Sequence, residues 1–146
     1  MDNAIKIQIG SDHAGFELKA QIIRFLTEHG FSVKDFGCYN SDSMDYPDVA
    51  HPLADAVLAD AGSLGILICG SGNGVCLTAN KHQGIRAALC WLPELGALAK
   101  QHNNANILCL PARYVDTETA KEIVTSYLSA TFEGGRHQNR VGKIDC

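Results

Sequence analysis

The 146-residue chain has no apolar run approaching the roughly 18 residues that a membrane span requires. Residues 1–15, MDNAIKIQIGSDHAG, lack the basic start, long apolar stretch and cleavage site of a secretory signal, so a cytoplasmic protein is expected. Positive charge is not in excess: 12 Lys and Arg against 16 Asp and Glu give a net charge of -4, which argues against broad nucleic-acid binding. The six cysteines, at 38, 69, 76, 90, 109 and 146, form no C-x-x-C pair and no tight Cys/His cluster of zinc-site spacing. Cys69, Cys90 and Cys109 fall inside apolar runs, where a thiol behaves as a small hydrophobe. A reduced, intracellular protein follows, with disulfides as the alternative. There is no internal repeat, low-complexity segment or linker, so residues 1–146 read as one domain, with 133–146 a basic C-terminal tail.

Apolar runs alternate with helical patterns along the whole chain. Residues 5–9 read as a strand, and 14–29 as a helix with Leu18, Ile22, Phe25 and Leu26 on one stripe, stopped by Gly30. Residues 31–36 form a second strand and 37–47 a polar loop. A helix then carries Leu53, Ala54, Val57 and Leu58 inward, and Pro52 belongs in its first turn. Residues 64–69 are continuously apolar, as in a buried parallel strand, and lead through GSGNG into a short helix reaching about Lys81. Residues 85–90 and 107–110 are further strands. Between them lies a helix over 93–102 with Leu95, Leu98 and Ala99 inward. Asp116 or Thr117 caps a last long helix bearing Ala120, Ile123, Val124, Tyr127 and Leu128. This alternation predicts an α/β fold: a Rossmann-like three-layer α/β/α sandwich around a parallel sheet of about five strands. Ligands in such folds bind beyond the carboxyl ends of the strands.

Four segments carry chemistry. In GILICGSGNG, residues 65–74, glycines at 70, 72 and 74 follow a buried strand and open a helix, so backbone N–H groups can converge on an anion. A merely tight turn is the alternative. No Lys-Ser/Thr pair ends the loop as in a Walker motif, and G-x-G-x-G is not the dinucleotide fingerprint. Cys69 stands just before the loop, as a buried strand residue or as a thiol made acidic by the helix N-terminus. Ser11, Asp12 and His13 follow the first strand, where a helix cap and a ligand role are compatible. His102, in QHNN, continues the stripe of Leu95, Leu98 and Ala99 and so points inward, as a core histidine or an acid–base group. In the tail, Arg136, Arg140 and Lys143 lie where no acid occurs between Glu133 and Asp145. If that tail is helical, Arg136 and Arg140 share a face at i, i+4 and can grip a phosphate, joined by Arg113. A solvated tail is the alternative.

Together GSDHAGFELK, DYPD, GILICGSGNG, ANKHQGIRA, QHNNANIL and EGGRHQNRV, in this order from Ile5 to about Val141, resemble the type B ribose-5-phosphate isomerases. These share a family with galactose-6-phosphate isomerase. The resemblance implies interconversion of D-ribose 5-phosphate and D-ribulose 5-phosphate through an enediolate, with no metal and no organic cofactor. Carried over by position, Cys69 is the base between C1 and C2. One branch of the family has a glutamate just after the glycine loop, where this chain has Val75. Gly70, Ser71, Gly72, Asn73 and Gly74 resemble the anion hole, with Ser71 assisting at the sugar oxygens. His102 and Asp12 resemble the pair that opens the furanose ring, Asn103 holds a sugar hydroxyl, and Tyr46 lines the pocket. His13, Arg113, Arg136, His137 and Arg140 form the phosphate set. The family's homodimers share active sites, so part of that set is expected from a neighbouring chain. No role falls to Cys76, and His29, His51 and His82 read as surface or packing residues.

A C–H proton beside a carbonyl is a very weak acid, and its removal needs charge stabilisation on the neighbouring oxygen, which fixed N–H donors supply. A remote phosphate supplies binding energy for orientation. Two other readings remain open from sequence: the same chemistry on allose or galactose 6-phosphate, and a non-enzymatic phosphate- or nucleotide-binding module.

Overall fold

The computed structural model describes residues 1–146. Five parallel strands form one sheet: β1 (Lys6–Ser11), β2 (Ser32–Asp35), β3 (Leu64–Cys69), β4 (Ala87–Leu89) and β5 (Ile107–Pro111), in the spatial order β2-β1-β3-β5-β4. The helices between them are α1 (Phe16–Glu28), α2 (Pro47–Ala59), α3 (Asn73–Ala79), α4 (Pro93–Asn103) and α5 (Thr117–Ser129), followed by the short α6 (Arg136–Val141). This is the three-layer sandwich that the alternating pattern predicts.

Side chains alternate across the sheet. Ile7, Ile9, Ile66, Ile68, Leu108 and Leu110 meet α1 and α5 in the larger core, which Ala99 of α4 also joins. Leu67, Cys69, Ile107 and Cys109 face the opposite way, against Val49, Leu53, Ala54 and Val57 of α2 and Val75 and Ala79 of α3. The three central strands are buried on both faces. That is why β3 and β5 are continuously apolar rather than alternating, while β1, KIQIGS, buries Gln8 and Ser11 among its apolar residues.

Several local expectations change. The first helix opens with a 3₁₀ turn, His13–Gly15, before α1 proper. The edge strand β4 spans three residues because its neighbourhood is tied by side chains: the Asn106 Oδ1 accepts from the Arg86 N–H at 2.7 Å, and the Asn80 Oδ1 from Ala87 at 2.8 Å. Pro52 lies inside α2, past the first turn. It is tolerated because it sits on the exposed face, where the carbonyl it leaves unpaired meets water. Leu58 is exposed rather than inward, one position beyond the stripe of Leu53, Ala54 and Val57. The tail, conditional in the sequence, forms α6 and places Arg136 and Arg140 on one face.

The sheet order reverses between β1 and β3: the chain moves from β1 outward to β2 on one side, and from β3 to the far edge at β4 and back to β5 on the other. A crevice opens beyond the carboxyl ends of strands at such a point. Its floor is tied together by the Asp12 N–H, which donates to the carbonyl of Ile68 at 3.2 Å.

Candidate active site

A cleft of about 460 Å³ lies at this crevice, lined by Asp12, His13 and Ala14 after β1, Tyr46 at the start of α2, Cys69 to Ser71 with Asn73, Gly74 and Leu77 after β3, and Arg113 and Tyr114 after β5. Four separate chain segments therefore converge on one opening, each delivered by the end of a strand or the start of a helix.

Cys69 ends β3 with 4% of its surface exposed, and it lines the cleft while its flank packs in the smaller core. The loop after it turns through Gly72 at φ +76, which a side chain would strain. No protein acceptor engages the amides of Gly70, Ser71, Gly72 or Gly74, whereas the Asn73 N–H donates to Ser71 Oγ at 3.2 Å. Four of the five expected anion-hole amides are thus free, and the fifth is spent on holding the serine. The Tyr46 ring lies directly on Gly74: a Cβ there would stand 2.6 Å from it. Arg113 donates its backbone N–H to the Gly70 carbonyl at 3.0 Å, and its side chain folds back over the same glycine.

Asp12 is 7% exposed, and its Oδ1 accepts from the N–H groups of Ala14 at 2.9 Å and Gly15 at 3.2 Å. The cap role expected of this segment is filled by Oδ1, and the residue also lines the cleft. The Met44 N–H donates to His13 Nδ1 at 3.2 Å, which leaves the ring proton on Nε2.

The remaining expected residues lie elsewhere. Because β4 and β5 are parallel, α4 between them runs antiparallel to both, and its last turn ends at the amino edge of the sheet. His102 is on that turn. It does not point into the core as its stripe implies: its side chain is 39% exposed and stacks on His137, with centroids 4.2 Å apart and planes at 10°. The Glu133 N–H donates to the Gln101 carbonyl at 3.0 Å, which ties the tail beside this turn. Glu133 Oε1 lies 3.8 Å from His102 Nε2 and 3.5 Å from His137 Nε2. Burial, with the charges of His102 and Arg136, holds the His137 imidazole below its ordinary range. Asn103 lines a different, larger cleft of about 490 Å³, together with Arg86 and the C-terminal Ile144, Asp145 and Cys146. The expected residues therefore fall in separate places: Cys69, the loop amides, Asp12, His13, Tyr46 and Arg113 around the first cleft, His102 with His137 and the α6 arginines at the amino edge of the sheet, and Asn103 in the second cleft.

The sequence does not single out Tyr114 and Leu77, which line the first cleft, or Glu133, which stands beside His102 and His137. Tyr114 follows β5 at its carboxyl end, a position that marks it by topology alone. Leu77 falls off the buried stripe of α3, which the spacing of Val75 and Ala79 already implies.

Comparison with known proteins agrees with this architecture. A sequence model described as Ribose/Galactose Isomerase matches residues 7–144. The chain belongs to that family. It is 47% identical over 139 residues to ribose-5-phosphate isomerase B of Escherichia coli (strain K12), covering 95% of this chain and 93% of that one. The crystal structure of ribose 5-phosphate isomerase from Thermotoga maritima superposes with a TM-score of 0.94 at 48% identity, covering 97% of each chain. Ribose-5-phosphate isomerase B from Mycoplasma genitalium, solved with bound ribulose-5-phosphate, superposes at 0.93 with 47% identity, covering 97% of this chain and 94% of that one.

Proposed function

We propose that the chain interconverts D-ribose 5-phosphate and D-ribulose 5-phosphate, with Cys69 as the base. The observation that carries the reading is the meeting in one cleft of the Cys69 thiol, four unengaged loop amides and the Arg113 guanidinium. In this reading the Cys69 thiolate takes the proton from C2 of the open-chain aldose. The freed electron pair forms the C1–C2 double bond, and the aldehyde oxygen becomes an oxyanion facing the amides of residues 70–74. The O2 hydroxyl proton passes to O1, the C2–O2 bond becomes the carbonyl, and return of the thiol's proton to C1 gives the ketose. Ser71 holds the sugar oxygens, Asp12 and His102 serve ring opening, and Asn103 binds a hydroxyl. His13, Arg113, Arg136, His137 and Arg140 take the phosphate, the arginines as paired donors.

A second copy of the chain would complete each site as a homodimer. His102 and the tail stand at the opposite edge of the sheet from Cys69, so the two half-sites of one chain do not meet. Exposed apolar groups at the carboxyl edge support such a partner: Leu77 is 67% exposed, Trp91 52%, Leu92 50% and Tyr114 76%. These side chains are costly to leave in water and are placed for burial around the cleft mouth.

The family's description also covers galactose isomerases, so the same proton transfer on a hexose 6-phosphate is the competing outcome. Comparing turnover of ribose 5-phosphate with that of allose and galactose 6-phosphates separates the two. Replacing Cys69 with alanine tests the chemistry itself. We expect kcat to fall on the order of 10²- to 10⁴-fold with sugar-phosphate binding retained. Turnover of the variant at the native rate would remove Cys69 from the role.

A further inference from the structure

Glu133 has no part in the isomerase reading, yet it stands between two of its histidines. Its Oε1 is 3.8 Å from His102 Nε2 and 3.5 Å from His137 Nε2, and the two rings are held in a parallel stack. All three ligand atoms lie within 4.8 Å of one another. Two imidazole nitrogens and a carboxylate oxygen are the donor set of many open zinc sites. With zinc–ligand bonds of about 2.0–2.1 Å, tetrahedral geometry puts neighbouring ligand atoms about 3.3 Å apart. The two nitrogen–oxygen separations exceed that by a few tenths of an ångström. The parallel rings do not yet aim their lone pairs at one point. A rotation of His102, which is partly exposed, would turn its Nε2 toward the shared oxygen without disturbing the buried His137.

We propose that His102, Glu133 and His137 form a reversible binding site for a divalent transition ion, zinc above all, and that its occupation inhibits the enzyme. The three protein ligands leave a fourth position open to water, as in an exchangeable rather than a structural site. The local charge also makes the site an exchangeable one. Arg136 and Arg140 act on His137 and oppose a dication, while Glu133 contributes a single negative charge. The inhibitory part rests on the functional reading above, because it is His102 and His137 that the ion would withdraw from sugar phosphate.

The test uses the full chain with zinc chloride and no sugar, followed by calorimetry, with cobalt substitution read from its visible spectrum. Native protein should take up one zinc per chain, and cobalt should show a nitrogen- and oxygen-ligated spectrum without thiolate charge transfer. Glu133→Gln and, separately, His137→Ala should each weaken zinc by at least about tenfold, since even outer-shell partners of a metal are worth that much. Zinc affinity unchanged in both variants, or lost instead in Cys69→Ala with a thiolate signature in the native cobalt spectrum, would overturn the site. Since no substrate is present, this result holds whatever the chain turns over. Isomerase assays then address inhibition. Zinc should slow native turnover competitively with ribose 5-phosphate and be reversed by chelator, and it should act at least about tenfold more weakly on Glu133→Gln. Native turnover unaffected at zinc concentrations that saturate the site would overturn the inhibitory claim.

Discussion

The Arg113 guanidinium lies against the backbone of Gly70: a Cβ on residue 70 would stand 3.0 Å from Arg113 Nη1 and 3.3 Å from Cζ. The glycine that opens the loop after β3 and the one arginine lining the cleft are therefore fitted to each other by the absence of a single carbon.

Gly70→Ala should move the guanidinium by a fraction of an ångström and leave the fold intact, because the atoms met are the far end of a flexible side chain. Small displacements of positioning groups cost up to about 100-fold in rate. We expect kcat/KM to fall about 10- to 100-fold while the melting temperature stays within a few degrees of native. Steady-state kinetics and a thermal scan on the same preparation check both halves.

Shared sites predict complementation. If the proposed dimer shares its sites, Cys69→Ala and His102→Ala should each be nearly inactive alone, one lacking the proposed base in every site and the other the histidine proposed for ring opening. Co-expressed, they should form mixed dimers in which one of two sites is native, restoring about a quarter of native activity for random pairing of a two-fold assembly. Activity of the mixture no higher than that of the separate variants would rule out sharing across the two-fold.

Lys19 is 1% exposed, with Nζ 2.7 Å from Asp35 Oδ1 and bonded to the Cys38 carbonyl. It pins the start of the loop that leads to Tyr46. Lys19→Met keeps the stem's packing, leaves the Cys38 carbonyl without a donor and leaves Asp35 Oδ1 only the Gly37 N–H at 2.8 Å, which should cost about 2 kcal/mol in urea unfolding. KM should rise with it if the loop carries Tyr46 out of place; a change in stability alone would confine Lys19 to the fold.

The Asp116 carboxylate caps α5, accepting the Thr119 N–H at 2.7 Å, and this bond holds its pKa below the ordinary carboxylate value. A depressed folded-state pKa gives stability that is fully present above the unfolded value. That stability is lost as pH falls through the depressed one. Melting temperatures of native protein and Asp116→Asn should therefore differ by a constant amount from neutral pH down to the usual carboxylate range. Below that range they should converge. A gap independent of pH through that range would show that the charge contributes nothing.

Much of this architecture is legible in the residues. The run at 64–69 gives β3 to the residue, because a strand covered on both faces leaves no polar position to blur its ends. Asp12, Cys69 and the glycine loop are readable for the same reason: strand ends point at the crevice whatever the helices do. His102 is misread because periodicity reports which side of a helix faces its neighbours only where neighbours exist. The last turn of α4 carries it to the sheet's amino edge, where His137 of the tail is what it meets. Helix spacing likewise shows nothing of Glu133, which reaches the pair through a backbone bond to Gln101.

Asp12 uses one carboxylate oxygen to hold the amides of Ala14 and Gly15 and turns its side chain toward the cleft lining. The group that would handle a sugar's hydroxyl proton is thus also the rivet of the turn on which His13 rides. Selection acting on either duty must carry the other with it: a replacement that alters the proton chemistry loosens the histidine's perch, and one that preserves the perch must preserve an oxygen in the same place.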